Sequence, residues 1–375
     1  RASLIAHETA HMWFGDLVTM RWFDDVWMKE VFASFMAAKI VNPSFPEVHH
    51  DLRFLLANYP AAYGVDRTAG TNPIRQPLSN LDDAGQLYGA IVYQKAPIAM
   101  RQLEMIVGEQ TFRDGLREYL STYRFGNATW GDLIRVLDAR TPEDLAFWSR
   151  TWVEERGRPE FTTALEVEGG RVSRLAMTVS DPLRRGLVWP QQLRVALGYE
   201  SGVREVPTYV AEASVVIADA EGMAEPLFVL PNGAGLGYGL FILDTASREY
   251  LLDQIETIAD PLTRGSAWVT LWDNVLESHV EAGAFLDAAV RALAVETDEQ
   301  NIQRVLAYAT RAFWAHIDAD ERARRAPAFE AMLWAGVSSA PSRSVKAAWF
   351  AAVRDVALTP SSLASIEALW RRDDR

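Results

Sequence analysis

The sequence predicts a multidomain α+β protein with a helical region over residues 1–157, a β-region over 158–245 and a second helical region over 246–375. The length of 375 residues exceeds the size at which a single core usually divides into domains. The hydrophobic period also changes twice along the chain. Apolar residues recur every three or four positions in the first and last regions, whereas the middle region has short runs rich in β-branched residues.

The first region contains apolar residues at helical spacing, for example at 31–36 and 133–137. Helix starts are predicted at Thr129, which precedes an apolar-periodic segment, and at Thr141, because Pro142 suits the first helical position. The glycine and proline of residues 156–159 end this helical region.

The middle region is predicted to be a small β-sandwich, because turn signals separate its β-branched runs. Those runs cover 162–167, 172–179, 192–197 and 206–210. The last region is predicted to form antiparallel helix pairs, and a solenoid-like stack fits, although the sequence has no repeat of fixed period. Its predicted helices lie near 246–258, 284–295, 299–311, 320–335 and 342–356.

The composition excludes several kinds of partner and site. A net charge of −13 argues against a nucleic-acid or anionic-membrane partner, since both repel an acidic surface. The absence of cysteine excludes disulfides, thiolate zinc sites and cysteine nucleophiles, and it is compatible with a cytoplasmic location. No membrane segment or signal peptide is recognisable. Because the chain begins at Arg1 with a helical pattern already running, we expect it to be a piece of a longer protein.

The strongest functional signal is the segment from His7 to His11, which has the pattern His-Glu-x-x-His. A step of four residues in a helix returns to nearly the same face, so both imidazoles can bind one metal ion. Glu8 lies one position from His7, where it can reach a metal-bound water as a general base without binding the metal.

Glu30 is the candidate for a third metal ligand. Catalytic zinc commonly has two histidines and one glutamate as ligands, with the fourth position left for water. Glu30 opens an apolar-periodic segment, and a second helix antiparallel to the first would bring it back to the histidines. A solvated helix face can match His-Glu-x-x-His by chance, but a suitably spaced glutamate on a second helix makes that explanation poor. We therefore expect one Zn²⁺ per chain.

This constellation resembles that of the M1 family of zinc aminopeptidases, in which eighteen residues separate the second histidine from the glutamate, as they do here. The surroundings are also similar: residues 4–8 and 13–20 resemble the first zinc helix and the loop after it, and 22–34 resemble the segment with the third ligand. Further similar motifs are Tyr93-Gln94-Lys95 for Tyr-x-Lys-Gly, 152–159 for the end of the catalytic domain, and 228–239 for the β-sandwich. Beyond about residue 245 the similarity is one of helical content alone.

The resemblance implies a thermolysin-like helical catalytic portion in 1–157, a β-sandwich in 158–245 and an incomplete helical C-terminal domain in 246–375. It implies a metalloaminopeptidase that releases N-terminal amino acids from peptides. His7, His11 and Glu30 would bind zinc, Glu8 would act as the base, and Tyr93 would donate a hydrogen bond to the developing oxyanion.

The sequence departs from the family pattern around two of these residues. Lys29 replaces an asparagine before the third ligand and Val31 replaces a glycine after it. If Lys29 points towards the metal, zinc affinity should decrease; if it faces solvent, nothing is lost. Ala96 replaces the glycine of Tyr-x-Lys-Gly, and Pro97 follows it, so the backbone near Tyr93 should differ locally. Asp25 is expected either to accept a hydrogen bond from a ligand or to cap a helix.

The family's Gly-x-Met-Glu-Asn motif, whose glutamate holds the substrate amino group, does not occur in the sequence. We therefore expect the N-terminal part of the protein to be missing, and this piece alone to be nearly inactive.

Two other functions stay open: an M1-like zinc hydrolase with a non-peptide substrate, such as the epoxide-opening relative, and a non-catalytic binding or scaffold protein. The remaining histidines lack ligand-like spacing and are expected to be ordinary surface or core residues.

Overall fold

The computed structural model describes residues 1–371, which divide into two compact units. The first unit comprises Arg1–Ala196, Glu205–Glu225 and Pro231–Ile242. The second comprises Leu197–Arg204, Pro226–Leu230 and the described residues from Leu243 onward.

The protein is a mixed α+β structure, as predicted. The helices are α1 (Ala2–Ala10), α2 (Val26–Val41), α3 (His50–Asp66), α4 (Ala96–Val107), α5 (Glu109–Thr122), α6 (Trp130–Asp138), α7 (Leu145–Ser149), α8 (Thr245–Gln254), α9 (Pro261–Leu276), α10 (Ala282–Leu293), α11 (Glu299–Ala315), α12 (Ala319–Ser339), α13 (Arg343–Val356) and α14 (Pro360–Trp370). The strands are β1 (Val18–Met20), β2 (Gly126–Ala128), β3 (Glu160–Glu168), β4 (Arg171–Ser180), β5 (Gln191–Tyr199), β6 (Gly202–Val210), β7 (Ser214–Val216), β8 (Phe228–Leu230) and β9 (Leu240–Ile242).

The two changes of hydrophobic period coincide with changes of structure. Long strands begin at Glu160, and helices resume at Thr245. The division into three domains at 157/158 and 245/246 stays a prediction, and residues 372–375 of the predicted last domain lie outside the described residues.

One of the two predicted helix starts is confirmed and the other is wrong. Thr129 caps α6 through a reciprocal pair of hydrogen bonds with Asp132, which satisfies backbone donors that the first turn leaves unpaired. The next helix does not begin at Thr141. Asp144 caps it instead, accepting a hydrogen bond from the Phe147 N–H at 2.8 Å. A hydrogen bond from the backbone N–H of the third helical residue to an aspartate side chain stabilises a helix start at that aspartate. Here it outweighs the preference of Pro142 for the first helical position.

Helices α1 and α2 pack against each other, and the loop after α1 is held in place from both sides. The Phe14 ring in this loop stacks on Phe32 of α2 with centroids 4.6 Å apart. β1 then pairs in parallel with β2, with Val18 opposite Gly126. Apolar stacking on one side and backbone hydrogen bonding on the other therefore fix where the C-terminal end of α1 lies relative to α2.

A buried ion pair joins α3 to the segment that precedes α4. The Lys95 Nζ lies 2.7 Å from the Asp66 Oδ2, and both side chains are completely buried. Lys95 also donates to the Gly157 carbonyl at 2.8 Å, while the Tyr238 hydroxyl and the Thr71 hydroxyl each donate to Asp66 at 2.8 Å. Charges removed from water are tolerated where hydrogen bonds satisfy them in this way.

The strand region contains two sheets. One has the order β7-β4-β3-β9, with β3 antiparallel to β4 and parallel to β9, and the other has the order β6-β5-β8. The four predicted strands correspond to β3, β4, β5 and β6. The short strands β7, β8 and β9 carry too few residues to show a period in the sequence.

The helices of the second unit include α9, which the sequence did not predict. Thirteen consecutive residues of α9, from Thr263 to Val275, are buried. A helix buried on every side has no polar face, so its sequence lacks the amphipathic period by which the other helices were recognised. The Asp260 side chain caps this helix and Pro261 occupies its first position.

Within the described residues, no helix has both the length and the apolar character that crossing a membrane requires.

We predict that Lys95→Met destabilises the first unit strongly, because it leaves the Asp66 carboxylate buried without its counter-charge. The expected loss in free energy of unfolding is about 3–5 kcal/mol, measured by urea denaturation. Adding Asp66→Asn should recover part of the loss, because the uncompensated charge is then removed. The exposed pair Arg117–Asp114 is the matched control, and Arg117→Met should change stability little. A Lys95→Met protein as stable as the parent would contradict the role of the buried pair.

Candidate metal centre

His7 and His11 point towards the same place, as the four-residue spacing predicts. Helix α1 ends at Ala10, and His11 follows it with helical dihedral angles, its N–H donating to the His7 carbonyl at 3.2 Å. The two Nε2 atoms lie 3.2 Å apart, and the rings are perpendicular with centroids separated by 4.7 Å. The helical geometry therefore persists just long enough to bring both imidazoles together.

Glu30 of α2 completes a group of three donor atoms. Its Oε2 lies 3.5 Å from His7 Nε2 and 3.8 Å from His11 Nε2, and all three atoms are within 4.8 Å of one another. Two ligands at the usual distances from a tetrahedral zinc ion are about 3.3 Å apart. The observed separations of 3.2, 3.5 and 3.8 Å are close to that value, so these residues fit a zinc ion.

The outer nitrogens of both histidines have hydrogen-bond partners. His11 Nδ1 lies 3.1 Å from the Phe14 carbonyl oxygen, which can only accept, so the proton is assigned to Nδ1 and the Nε2 lone pair is left for a metal. His7 Nδ1 lies 3.2 Å from the Ser34 hydroxyl. Such partners fix the orientation of ligand histidines.

Sequence reasoning did not find Ser34, although a signal existed. Ser34 follows Glu30 by four residues on α2, so both occupy the same helix face. The Phe14 carbonyl could not have been found, because it depends on the path of the loop after α1.

Asp25 neither bonds a candidate ligand histidine nor caps α2, the helix that it precedes. Its side chain makes no capping hydrogen bond to α2, and the histidine partners are Phe14 and Ser34. Asp25 is buried and accepts a hydrogen bond from Arg75 Nε at 2.7 Å and from the Trp130 N–H at 3.3 Å. Burial raises the pKa of this carboxyl, which Arg75 opposes. Asp25 therefore ties the start of α2 to the start of α6.

Lys29 lies beside Glu30. Its Nζ is 3.4 Å from Glu30 Oε1, the carboxylate oxygen that does not face His7 and His11, and about a third of the Lys29 side chain is exposed. Lys29 therefore contacts the candidate ligand, so of the two orientations left open by the sequence the purely solvent-facing one does not occur.

Glu8, the expected base, follows His7 on α1 and is exposed. Its carboxylate is therefore accessible to solvent, and its role as the base stays a prediction. The histidines outside the motif lie apart from the metal-binding group, and one of them, His50, bonds the Phe45 carbonyl at 2.8 Å.

Tyr93 lies in a π-helical turn, Ile91–Lys95, that leads into α4. The Ala96 N–H donates to the Ile91 carbonyl five residues back. Pro97 explains this wider turn, because it has no N–H for the Tyr93 carbonyl four residues before it and its ring would crowd that carbonyl. The difference from the family backbone that Pro97 led us to expect stays a prediction.

The π-helical turn separates Tyr93 from Lys95. Lys95 is completely buried in its ion pair with Asp66, whereas Tyr93 is 41% exposed and stacks on Tyr88 at 6.2 Å. Partial burial raises the pKa of the Tyr93 phenol, and the negative charge of Glu30 adds to this. Tyr93 therefore keeps its proton at neutral pH, as a hydrogen-bond donor must. The negative charge of Glu30, the candidate metal ligand, also acts on its hydroxyl group.

Comparison with known proteins identifies the first part of the chain. The peptidase family M1 domain matches residues 1–152. Aminopeptidase N of Streptomyces lividans is 30% identical over 98% of this chain and 45% of its own length. Leucyl aminopeptidase of Saccharolobus solfataricus is 34% identical over 46% of this chain and 22% of its own. Tricorn protease-interacting factor F2 of Thermoplasma volcanium is 29% identical over 60% of this chain and 29% of its own.

The chain thus spans less than half the length of these curated relatives. The matched domain contains every candidate site residue, from His7 to Tyr93. The similarity to aminopeptidase N continues through the strand region and into the helices after it, so the expectation that only helical content is shared beyond about residue 245 is wrong. Residues 1–152 carry the peptidase family M1 domain, and the chain is an M1 aminopeptidase-like protein.

Proposed function

We propose that this chain is the zinc-binding part of a metalloaminopeptidase that releases N-terminal amino acids from peptides. The observation that carries the proposal is the triangle of His7 Nε2, His11 Nε2 and Glu30 Oε2, whose edges match those of a tetrahedral zinc site. The M1 family and the aminopeptidase names of its relatives support peptide hydrolysis as the reaction.

In this proposal His7, His11 and Glu30 hold the zinc ion. When bound, zinc supplies a Lewis acid that polarises the scissile carbonyl and makes water a nucleophile near neutral pH. The Glu8 carboxylate accepts the proton of the attacking water and later delivers it to the leaving amine. The Tyr93 hydroxyl donates a hydrogen bond to the carbonyl oxygen as negative charge develops there. Ser34 and the Phe14 carbonyl hold the two imidazoles in orientation.

The proposal extends to the architecture. The helices of 1–157 would form the helical half of a thermolysin-like catalytic domain. The two sheets of 158–245 would form the β-sandwich, and the helices from 246 onward would form part of a solenoid-like C-terminal domain. The alternation of helices, two sheets and helices supports this assignment.

The non-catalytic alternative draws on the departures at Lys29, Ala96 and Pro97. The complete set of donor atoms and their outer hydrogen bonds argues against it, since a protein that no longer binds metal has no need of either. Metal content separates the two functions, and the nature of the hydrolysed bond separates a peptidase from a hydrolase of non-peptide substrates.

We predict that the chain binds about one zinc ion and that His11→Ala abolishes this binding, because two donor atoms no longer define the site. Zinc content after supplementation and gel filtration, measured by atomic emission, checks the prediction. His279→Ala, which removes an exposed histidine far along the chain, should leave zinc content unchanged. A parent protein that stays zinc-free would refute the enzyme proposal.

We predict that Glu8→Gln retains the zinc ion but lowers kcat for amino-acid amide hydrolysis by about 10²–10⁴-fold, because glutamine cannot accept the proton of water. The assay uses the complete encoded protein and measures zinc in the same preparation. Glu47→Gln, at another exposed position, is the control. Undiminished turnover in Glu8→Gln would remove Glu8 from the role of base.

We predict that Tyr93→Phe lowers kcat by about 10²–10³-fold, because the hydroxyl donor is lost while the stacked ring is kept. KM and zinc content should change little. Tyr88→Phe provides the matched control, since its ring stacks on Tyr93 but it has no proposed role in the reaction. Equal activity of the Tyr93→Phe and Tyr88→Phe proteins would contradict the assignment of Tyr93.

A further inference from the structure

Lys29 stands out at the candidate centre because it is a cation next to a group that binds a cation. We propose that Lys29 lowers the affinity of this centre for divalent metal by pairing with the outer oxygen of Glu30. The inference rests on the proposed zinc site. The inference adds that Lys29, which is not a ligand, controls how tightly the metal is bound.

The two oxygens of Glu30 face different partners. Oε2 faces the imidazoles, 3.5 Å from His7 Nε2 and 3.8 Å from His11 Nε2. Oε1 faces the Lys29 ammonium at 3.4 Å. The ion pair thus engages the one carboxylate oxygen that the metal-binding triangle does not use. Glu30 is presented to a metal through a single oxygen, and its charge is shared with Lys29.

The protein surroundings keep Lys29 near this position. About two thirds of its side chain is covered. Its Cδ lies 3.8 Å from the position that a Cβ on Gly15 would take, in the loop after α1. Gly15 has φ +139°, a conformation that favours glycine, and an added Cβ there would also lie 3.3 Å from the His11 carbonyl oxygen. The Lys29 stem thus lies at contact distance from Gly15, beside the loop that ends the histidine motif.

Charge determines the sign of the effect. With both histidines neutral, the three donor residues carry one negative charge, and Lys29 cancels it. A divalent cation is then attracted by a site of no net charge instead of one with a net charge of −1. Even when solvent screens it strongly, a unit charge within about 6 Å of a divalent ion changes affinity by about tenfold.

The opposite role for Lys29 makes the opposite prediction. If Lys29 served mainly to orient Glu30 for the metal, its removal would release the carboxylate and weaken binding, as loss of a group that orients a ligand usually does. Damage to the fold would also weaken binding. Tighter binding after removal of Lys29 is therefore a result that neither orientation nor damage produces.

The test is the zinc dissociation constant of Lys29→Met, measured on the 375-residue chain by competition with a chromophoric chelator at fixed pH and ionic strength. Methionine keeps an unbranched stem and removes the charge, so we expect Kd to decrease about tenfold. Lys29→Arg keeps the charge and should leave Kd within about twofold of the parent value.

Lys39→Met is the matched control. Lys39 is on the same helix as Lys29 and also pairs with a carboxylate, that of Glu104, but it has no contact with the three donor residues. Its removal should leave Kd unchanged. An equal tightening in Lys39→Met would show a general effect of net charge and would overturn the assignment to Lys29.

The outcomes also separate this inference from the proposed function. A Lys29→Met protein that binds zinc no more tightly than a zinc-binding parent overturns the inference and leaves the zinc site standing. A parent that binds no zinc while Lys29→Met binds one ion supports the inference in its strongest form. If neither protein binds zinc, the proposed function and the inference both fail.

Discussion

The packing of α1 against α2 is the interaction on which the candidate centre depends, because it joins two ligands on one helix to a third on another. It is supported by side chains and backbone outside the ligands: the Phe14–Phe32 stack and the parallel pairing of β1 with β2. Both act on the loop that follows His11. A displacement of this loop would move the Phe14 carbonyl away from His11 Nδ1 and would change the separation of the donor atoms. The centre is therefore an outcome of core packing as much as of its motif.

The segment with Tyr93 shows a second way in which buried groups determine an exposed one. Pro97 prevents a regular α-helical hydrogen bond to the Tyr93 carbonyl, and a π-helical turn results. Within that turn, the ion pair of Lys95 with Asp66 anchors one side in the core, and Tyr93 emerges on the other. The similarity of this segment to the Tyr-x-Lys-Gly motif thus has a physical explanation: the buried lysine holds the turn in the core, and the tyrosine side chain is left partly exposed. The alanine in place of the motif glycine is buried and helical, and this conformation does not require glycine.

Two lysine–carboxylate pairs in the first unit have contrasting consequences. The Lys95–Asp66 pair is completely buried and surrounded by hydrogen-bond partners, so its effect is on stability. The Lys29–Glu30 pair is partly exposed, and one of its members is a candidate metal ligand, so its effect is on metal affinity. The same ionic chemistry stabilises the fold in one place and opposes a bound cation in the other, because burial and the neighbouring groups differ.

The sequence by itself determined the pairing of the two histidines, the mixed α+β class and most helices, because each depends on local spacing: four residues between histidines, or an apolar residue every third or fourth position. It also predicted Glu30 as the third donor residue, which the structure brings to the histidines, and Glu8 as the base, which stays a prediction. It missed α9, which is buried on all sides, and placed the start of α7 three residues too early. Only the tertiary structure decided that Ser34 and Phe14 bond the histidines, that Asp25 bonds Arg75 and that Lys29 pairs with Glu30. The physical reason is that these contacts depend on which elements pack together and on the path of the loops between them, and no local period encodes that.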